Sequence, residues 1–182
     1  VHPDGAVNTL FNPGTGANNT VYASAFQTDG QVLIGGAFTQ VGGVTRNYVA
    51  RLNSNGSLDT TFNAGTTATG TVEALSLLSG GQMLVAGNFT KIARLNSNGV
   101  QDGTFNASIG AGMTVYAIAM QADGKAIVVG SFTSINGSGR NRVARLNTDG
   151  TLDPTFIGSG ANGSVLAVAL QADGKIIIGG NF

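Results

Sequence analysis

An arginine and an aspartate eight residues apart recur three times in this 182-residue sequence. An arginine beside a carboxylate can bind a charged ligand, or the two can pair with each other as a structural clamp. Each pair brackets an Asn-Gly or Asp-Gly dipeptide, which is typical of a hairpin turn and would set its two members opposite each other. We therefore predict an ion-pair clamp within each repeat: Arg51 with Asp59, Arg94 with Asp102, and Arg145 with Asp153.

The other residue types that carry out catalysis or bind metals are scarce. The chain has one His, His2, one Glu, Glu73, and no Cys or Trp. His2 stands alone, so a metal or catalytic role for it is disfavoured. The remaining acids are single residues before Gly, not the run of alternating oxygens that a calcium loop needs, and we interpret them as turn residues: Asp29, Asp123, Asp149 and Asp173. We expect no enzyme activity, no metal and no cofactor.

Composition narrows the range of partners. The formal net charge is zero, charged residues make up only 10%, and neither sign is concentrated in one stretch. A nucleic-acid partner is therefore not expected. No apolar run is long enough to span a bilayer, so membrane insertion is not expected either.

The repeat leaves five charged residues without a role, Arg46, Glu73, Lys91, Arg140 and Arg142, and the arginines among them lie in the long loop between the second and third strands of a repeat. Loops carry most binding residues, so this loop is the best candidate contact surface. Tyr48 could stack on a sugar or pack internally. The candidate contacts are Arg46, Tyr48, Arg140 and Arg142.

The elements that must position these residues are repeated along the chain. A segment that begins at Val21 and ends in Gly-x-Phe returns at Val72, Val115 and Val165. A second segment, which carries the Arg-Asp pair, begins at Ala50, Ala93 and Ala144. We predict the end of one repeat at residues 1–20, whole repeats at 21–71, 72–114 and 115–164, and the front half of a further repeat at 165–182.

Each repeat has the period of β-strands and two turn signals. Alternation from Val21 to Phe26, the Asp29-Gly30 turn and an apolar run from Val32 indicate a first hairpin, and a Gly inside that run indicates a bulge or a close backbone approach. In the second hairpin, a three-residue loop would pair Leu52 with Leu58, whereas a two-residue loop would pair Leu52 with Asp59; we prefer the first. Four short strands per repeat of about 50 residues predict an all-β β-propeller, with a β-solenoid as the weaker rival.

The repeat pattern also resembles a known family. The segment Ala169–Phe182 reads Ala-x-Gln-x-Asp-Gly-Lys-Ile-x-x-Gly-Gly-x-Phe, and the segment Arg140–Phe156 carries Arg-Asn-x-Val-Ala-Arg-Leu-Asn-x-Asp-Gly-x-Leu-Asp-x-x-Phe. Together they resemble the delta-60 repeat family of bacterial β-propellers, with loops similar to those of Bacteroidetes members. The resemblance implies a secreted or cell-surface protein, often exported by a type IX system, and it brings no catalytic residues.

Two features depart from the regular pattern. In the second repeat Ile92 runs directly into Ala93, where the first and third repeats have eight more residues. Either this loop is naturally short or the sequence lacks a segment there, and the absence of Gly or Asn at Thr90-Lys91 favours the second. The incomplete repeats at the two ends predict an arc of a larger propeller, completed by further repeats of the same chain or by a second copy.

Three function classes remain. We favour a noncatalytic structural or interaction module of an adhesin-like surface protein, whose partners are other surface or secretion-system proteins or glycans. A carbohydrate-binding propeller is the alternative, although Trp is absent and no loop aromatic recurs in every repeat. A propeller enzyme is disfavoured because His, Glu and Cys are nearly absent.

Overall fold

The computed structural model describes residue 6 and residues 9–182. His2 and the Asp4-Gly5 dipeptide of the predicted first segment lie outside the described residues. A 3-10 turn spans Ser79–Gly81. The strands, in chain order, are β1 (Val21–Phe26), β2 (Val32–Gly36), β3 (Gln40–Val41), β4 (Val44–Thr45), β5 (Val49–Leu52), β6 (Val72–Leu77), β7 (Met83–Gly87), β8 (Lys91–Leu95), β9 (Ala107–Ser108), β10 (Val115–Met120), β11 (Ala126–Gly130), β12 (Ser134–Ile135), β13 (Ser138–Gly139), β14 (Val143–Leu146), β15 (Val165–Leu170) and β16 (Ile176–Gly180).

These strands form antiparallel sheets that follow the predicted repeats. The sheet orders are β1-β2-β5, β6-β7-β8-β9 and β10-β11-β14, followed by the hairpin β15-β16. We name them blade 1, blade 2, blade 3 and half-blade 4. The first strands of successive blades lie side by side, β1 against β6, β6 against β10 and β10 against β15. This is the arrangement of an arc of propeller blades, and the all-β prediction is confirmed.

The first hairpin of each blade is closed by the predicted turn. In blade 1 the amide of Gln27 donates to the carbonyl of Gln31 at 2.9 Å, and Gly30 N donates to Gln27 O at 3.0 Å. Gly30 has a φ of 84°, which a residue with a side chain rarely adopts. The Asp-Gly signal therefore set both the position and the type of this turn.

The glycine at the end of the second strand lies opposite a bulge. The β1–β2 register shifts between Val21 and Ala23, and Gly36 pairs with Val21. A Cβ on Gly36 would overlap the carbonyl oxygen of Thr20. The predicted close backbone approach is thus confirmed, because only Gly leaves room for the neighbouring strand.

The second hairpin has the preferred register but a shorter outer strand than predicted. Leu52 pairs with Leu58, and Gly56 has a φ of 89° in the three-residue loop. The expected fourth strand, however, is a single bridged residue in each blade. It ends there because Asp59 Oδ1 accepts a hydrogen bond from Thr61 N at 2.8 Å, which turns the chain away from the sheet.

Blade 2 differs from its neighbours where its loop is short. The chain bends over Asn88–Thr90 rather than at the expected Thr90-Lys91 turn, and Lys91 already belongs to β8. The start of β8 pairs with β9, an extra strand at the blade's outer edge. In blades 1 and 3 the longer loop forms the small hairpins β3-β4 and β12-β13 instead.

The hydrophobic core lies between blades rather than inside them. Along β7, Met83 and Val85 belong to a cluster with Leu33 and Phe62 of blade 1. Leu84, the residue between them, belongs to a cluster shared with blade 3. Because side chains alternate between the two faces of a strand, each blade needs a neighbour on both sides to bury its apolar residues.

Candidate functional site

The three Arg-Asp pairs form ion pairs at equivalent positions of blades 1, 2 and 3. The arginine lies on the third strand of its blade, and the aspartate follows the single bridged residue of the outer strand. The distances from Arg Nε to Asp Oδ2 are 2.8 Å for Arg51–Asp59, 2.9 Å for Arg94–Asp102 and 2.9 Å for Arg145–Asp153.

The second carboxylate oxygen of each aspartate is held by the chain that follows it. Asp59 Oδ1 accepts hydrogen bonds from the amide and the hydroxyl of Thr61, at 2.8 and 2.7 Å. The guanidinium of Arg51 lies 4.9 Å from the ring centre of Phe62, a cation–π contact that recurs in the other two blades. Sequence reasoning missed the roles of this Thr and Phe, although their fixed spacing from the aspartate was a usable signal.

The clamp also joins neighbouring blades, which the sequence analysis did not foresee. Arg51 Nη1 donates to the carbonyl of Ser97 in blade 2 at 2.7 Å. Arg94 Nη1 donates in the same way to Thr148 O in blade 3 at 2.6 Å. In the described part of the chain, Arg145 has only intrablade partners, since half-blade 4 stops at Phe182, before a second hairpin. Arg51 and Arg94 therefore each tie their own outer hairpin to the turn of the next blade.

A second contact reinforces each junction. Asn63 N donates to the carbonyl of Asn98 at 3.0 Å, and Asn106 N donates to Asp149 O at 3.1 Å. Gly99, at the same turn, has a φ of 90°, and a Cβ there would lie 2.7 Å from the backbone of Asn63. The turn glycine is thus required twice, by its own conformation and by the approach of the preceding blade.

A polar residue at the start of each second strand completes the carboxylate's environment. Gln31 Nε2 donates to Asp59 Oδ2 at 3.2 Å in blade 1. In blade 3 the equivalent Lys125 places Nζ 2.6 Å from Asp153 Oδ2. Asp153 consequently has two cationic partners, Lys125 and Arg145.

These contacts keep the clamp carboxylates ionised. Burial alone would raise the pKa of Asp59, but the hydrogen bonds from Thr61 and Arg51 outweigh it and lower the pKa to about 2. Hydrogen bonds from Thr104, with Arg94, lower the pKa of Asp102 to about 2. Lys125, followed by Thr155, lowers the pKa of Asp153. A carboxylate that is ionised and fully engaged at neutral pH is poorly suited to accept or deliver a proton.

The four loop residues expected to make contacts are turned toward their own chain. Arg46 Nη1 donates to Thr45 O at 2.9 Å and Arg140 Nη1 to Gly139 O at 2.8 Å. Arg142 Nη1 reaches Ala161 O at 3.2 Å, and Tyr48 packs against the cluster between blades 1 and 2. All four are half-buried, so the side chains brace the loop, and the exposed parts are the tips of β3-β4 and β12-β13.

The single aspartates before Gly act as turn residues. Asp29 Oδ1 accepts a hydrogen bond from Gln31 N at 3.0 Å, within its own hairpin. Among the residues that the structure describes, no three His, Cys, Asp or Glu side chains lie close enough together to hold a metal ion. Nor does any helix in the same residues have the length and apolarity to cross a membrane.

Solved structures similar to this chain are propellers or parts of larger proteins. The WD40 beta-propeller domain of Doa1 matches 88% of this chain and 48% of its own, with a TM-score of 0.66 and 17% identity. The extracellular domain of BT4673 from B. thetaiotaomicron matches 89% of this chain and 20% of its own, with a TM-score of 0.59 and 18% identity.

PorZ, a surface component of the type-IX secretion system of Porphyromonas gingivalis, matches 87% of this chain and 24% of its own, with a TM-score of 0.58 and 12% identity. At such low identities the likeness shows a shared fold alone. The chain spans less than half of the length of each of these three structures.

No curated protein matches this sequence significantly. A family model does match it, over residues 27–62, 79–105, 121–156 and 171–182, which is more than half of the chain. The matched segments contain the first-hairpin turns, the second strands with their glycines and the three Arg-Asp clamps. The chain belongs to the beta-propeller family described as a domain of unknown function, DUF5122.

Proposed function

We propose that this chain is a noncatalytic structural and interaction segment of a delta-60-type propeller, within a larger secreted or cell-surface bacterial protein. Two similar structures support the location, since one is an extracellular domain and the other a bacterial surface component. Further repeats of the same chain, or a second copy, would complete the ring. Its contacts with other surface or secretion-system proteins give it an adhesin-like role.

One observation carries the noncatalytic part of the proposal. The most regular charged residues of the chain, the three Arg-Asp pairs, hold blades together, and their carboxyl groups are fully engaged. The described residues hold no group of three or more His, Cys, Asp or Glu side chains that could bind a metal ion. What the fold offers to partners is a rigid frame with two exposed small hairpins, β3-β4 and β12-β13, on alternate blades.

Protease treatment of intact cells tests the location. The native protein, carrying an epitope tag, is followed in the bacterium that encodes it, and an abundant cytosolic protein serves as the control. We expect the tagged protein to be degraded while the control stays intact. Protection of both proteins until the cells are lysed would contradict a surface location. The intact mass of the native polypeptide, expected to be well above 18.2 kDa, tests whether the arc belongs to a larger protein.

A glycan array separates a general interaction module from the carbohydrate-binding alternative. We expect no saturable binding to any neutral or acidic glycan. Specific binding that is lost on substitution of Arg46 or Arg140 would favour the lectin instead, whereas turnover of a polysaccharide by the purified protein would overturn the noncatalytic assignment.

A further inference from the structure

Blade 2 is open at a place where its neighbours are closed. In blade 1 the segment that precedes the blade bridges the loop strand, Ala17 to Val41, and in blade 3 Ile109 bridges Ile135 in the same way. In the described chain no such bridge joins residues 64–71, the linker between blades 1 and 2, to β8. A space of about 230 Å³ lies between them instead.

This space continues along the outer edge of blade 2. On the side of blade 2 it is lined by Thr90, Lys91 and Gln101. A second depression, of about 450 Å³, shares Lys91 and Gln101 and runs past β9 to Asn136 of blade 3. We name the two together the blade 2 groove, which is elongated because its two parts meet end to end at these shared residues. On the side of the linker it is lined by Thr66, Thr67 and Thr69.

Gln101 is a departure from the repeat. The equivalent outer residues of blades 1 and 3 are Leu58 and Leu152, and both pack against hydrophobic clusters. A blade that serves only as a frame gains nothing when a packed leucine is replaced by an amide. A position that breaks the rule of its own repeat without a structural benefit indicates a role outside the frame.

Lys91 departs from the repeat as well, and its ammonium group is free. The equivalent residues, Gln40 and Ser134, are neutral. The exposed side chain of Lys91 has no partner in the described chain, whereas every other lysine and arginine bonds an acid or a backbone carbonyl. No acidic residue of the described chain lines the groove. The groove therefore offers one unpaired positive charge to an anionic group.

The neutral groups of the groove suit a polypeptide. The hydroxyl groups of the four threonines and the side-chain amide of Gln101 make no hydrogen bonds within the described chain. Such groups can bond the carbonyls and amides that an extended peptide carries along its length. In blades 1 and 3 the same place is closed by polypeptide as well, namely by the bridging segments that contain Ala17 and Ile109.

We propose that the blade 2 groove binds an extended segment of a partner protein, and that a Glu or Asp side chain of this segment pairs with Lys91. The threonine hydroxyls and Gln101 bond the backbone of the segment. This inference rests on the interaction role proposed above and adds the chemistry of the partner. Its failure would leave the surface location untouched, because protease treatment of intact cells tests that separately.

A library of random peptides, blocked at both ends, supplies the probe. The peptides are passed over the immobilised protein, and those retained are eluted and sequenced. We expect enrichment of sequences that carry a Glu or Asp. One enriched peptide is then synthesised with a fluorescent label, together with a version in which Gln or Asn replaces the acid. The acidic version should bind saturably and about fivefold more tightly than the neutral one.

Substitutions of Lys91 test the ion pair. Lys91→Gln, which copies Gln40, should bind the acidic and the neutral peptide equally. Lys91→Glu should prefer a third version of the peptide, in which Lys replaces the acid. Lys175→Gln is the matched control, since Lys175 is an exposed lysine of half-blade 4 and lies outside the groove, and it should leave both affinities unchanged.

Gln101→Leu tests the neutral part of the groove. It restores the leucine of the other blades, and it should weaken the acidic and the neutral peptide alike, by about fivefold, the effect of one hydrogen bond. The ratio of the two affinities should stay as in the unmodified protein. Thermal unfolding checks that each variant is folded.

Several outcomes would overturn the proposal. They are a lack of acidic sequences among the retained peptides, equal affinities of the acidic and neutral versions, and a preference for the acid that survives in Lys91→Gln. Competition by acetate as effective as that by the peptide would mean a general anion site, and equal competition by an oligogalacturonate would mean an acidic-sugar site. If Lys91→Gln does not fold, Lys91→Glu with the lysine version of the peptide decides the matter.

Discussion

Ile127 and Ile177 have the same side chain and the same position on the middle strand of a blade, yet their surroundings differ completely. Ile127 in blade 3 is 0% exposed, because half-blade 4 covers it, whereas Ile177 in half-blade 4 is 52% exposed. The same holds for polar groups: Arg94 donates to the next blade, whereas the described partners of Arg145 lie in its own blade. The comparison teaches that the burial of a residue in this chain depends on the presence of a neighbouring blade more than on the residue's position within its own blade.

The largest expected effect compares the two isoleucines directly. Ile127→Ala should lower the free energy of unfolding by about 3 kcal/mol, since it opens a cavity in a packed junction. Ile177→Ala should lower it by less than about 1 kcal/mol, since half of that side chain is already in water. Urea denaturation of both variants measures the difference. Equal losses would mean that the open face of β16 is covered in solution, for example by a second copy.

Two turn glycines give the next largest effect. Gly99 and Gly174 have φ values of 90° and 83°, but only a Cβ on Gly99 meets another backbone, that of Asn63. Gly174→Ala should cost about 1 kcal/mol from backbone conformation alone, and Gly99→Ala about 3 kcal/mol because the docked blade must also shift. Chemical denaturation of the two variants isolates the docking contact, and a difference below 1 kcal/mol would argue against it.

The clamp arginines should show a smaller contrast. Lysine keeps the charge of Arg94 or Arg145 but cannot bond the aspartate and a second group in the same geometry. Arg94→Lys also loses the bond to Thr148 O in blade 3, so it should destabilise the protein by about 1 kcal/mol more than Arg145→Lys. Thermal unfolding at neutral pH compares them. A larger loss at Arg145 would show that its Nη1 has a partner beyond half-blade 4.

Acid should weaken the clamps at the junctions between blades but not the ion pair of half-blade 4. The pKa values of Asp59 and Asp102 are about 2 in the folded protein, below the ordinary value of 3.8 for Asp. The unfolded chain therefore takes up protons first, so the stability that these groups provide is complete above pH 4 and is lost as the pH falls toward 2. Asp102→Asn should flatten the fall in stability over this range.

Asp173→Asn is the matched control for this measurement. The hydrogen bonds from Lys175 lower the pKa of Asp173 as well, but both side chains are largely exposed, and exposed ion pairs contribute little to stability. Its acid profile should follow that of the unmodified protein. Urea denaturation at a series of pH values measures the stability of the unmodified protein, of Asp102→Asn and of Asp173→Asn. A flattened profile for Asp173→Asn would contradict the distinction between the blade junctions and half-blade 4.

The sequence was sufficient for the parts of the fold that depend on local chemistry. Gly30 and Gly56 marked the two turns, Gly36 marked the bulge, and the Leu52–Leu58 pairing followed from matching like residues across the hairpin. The outer strand is shorter than predicted. After the single bridge between Leu52 and Leu58, the hydrogen bond from Thr61 N to Asp59 Oδ1 turns the chain away from the sheet. Local pattern does not show which of two such bonding arrangements is the stronger.

The sequence could not predict that the clamp arginine also bonds the next blade, and the physical reason here is a different one. The spacing of Arg51 and Asp59 shows that they face each other, but the acceptor for Arg51 Nη1, Ser97 O, is a backbone atom 46 residues away and has no side-chain signature. The partners of the loop arginines also lack a side-chain signature. Arg46 and Arg142 lie where loops usually contact partners, and their hydrogen bonds to the carbonyls of Thr45 and Ala161 are visible only in the folded chain.

The junctions from blade 1 to blade 2 and from blade 2 to blade 3 each connect immediate neighbours, through an arginine that reaches forward and a glycine turn that receives the preceding backbone. Duplication or deletion of one whole repeat would therefore recreate the same junction on both sides of the change. Tandem arrays with nearest-neighbour contacts tolerate changes in repeat number for this reason. In this chain a whole repeat is therefore the unit whose gain or loss would keep both contacts intact.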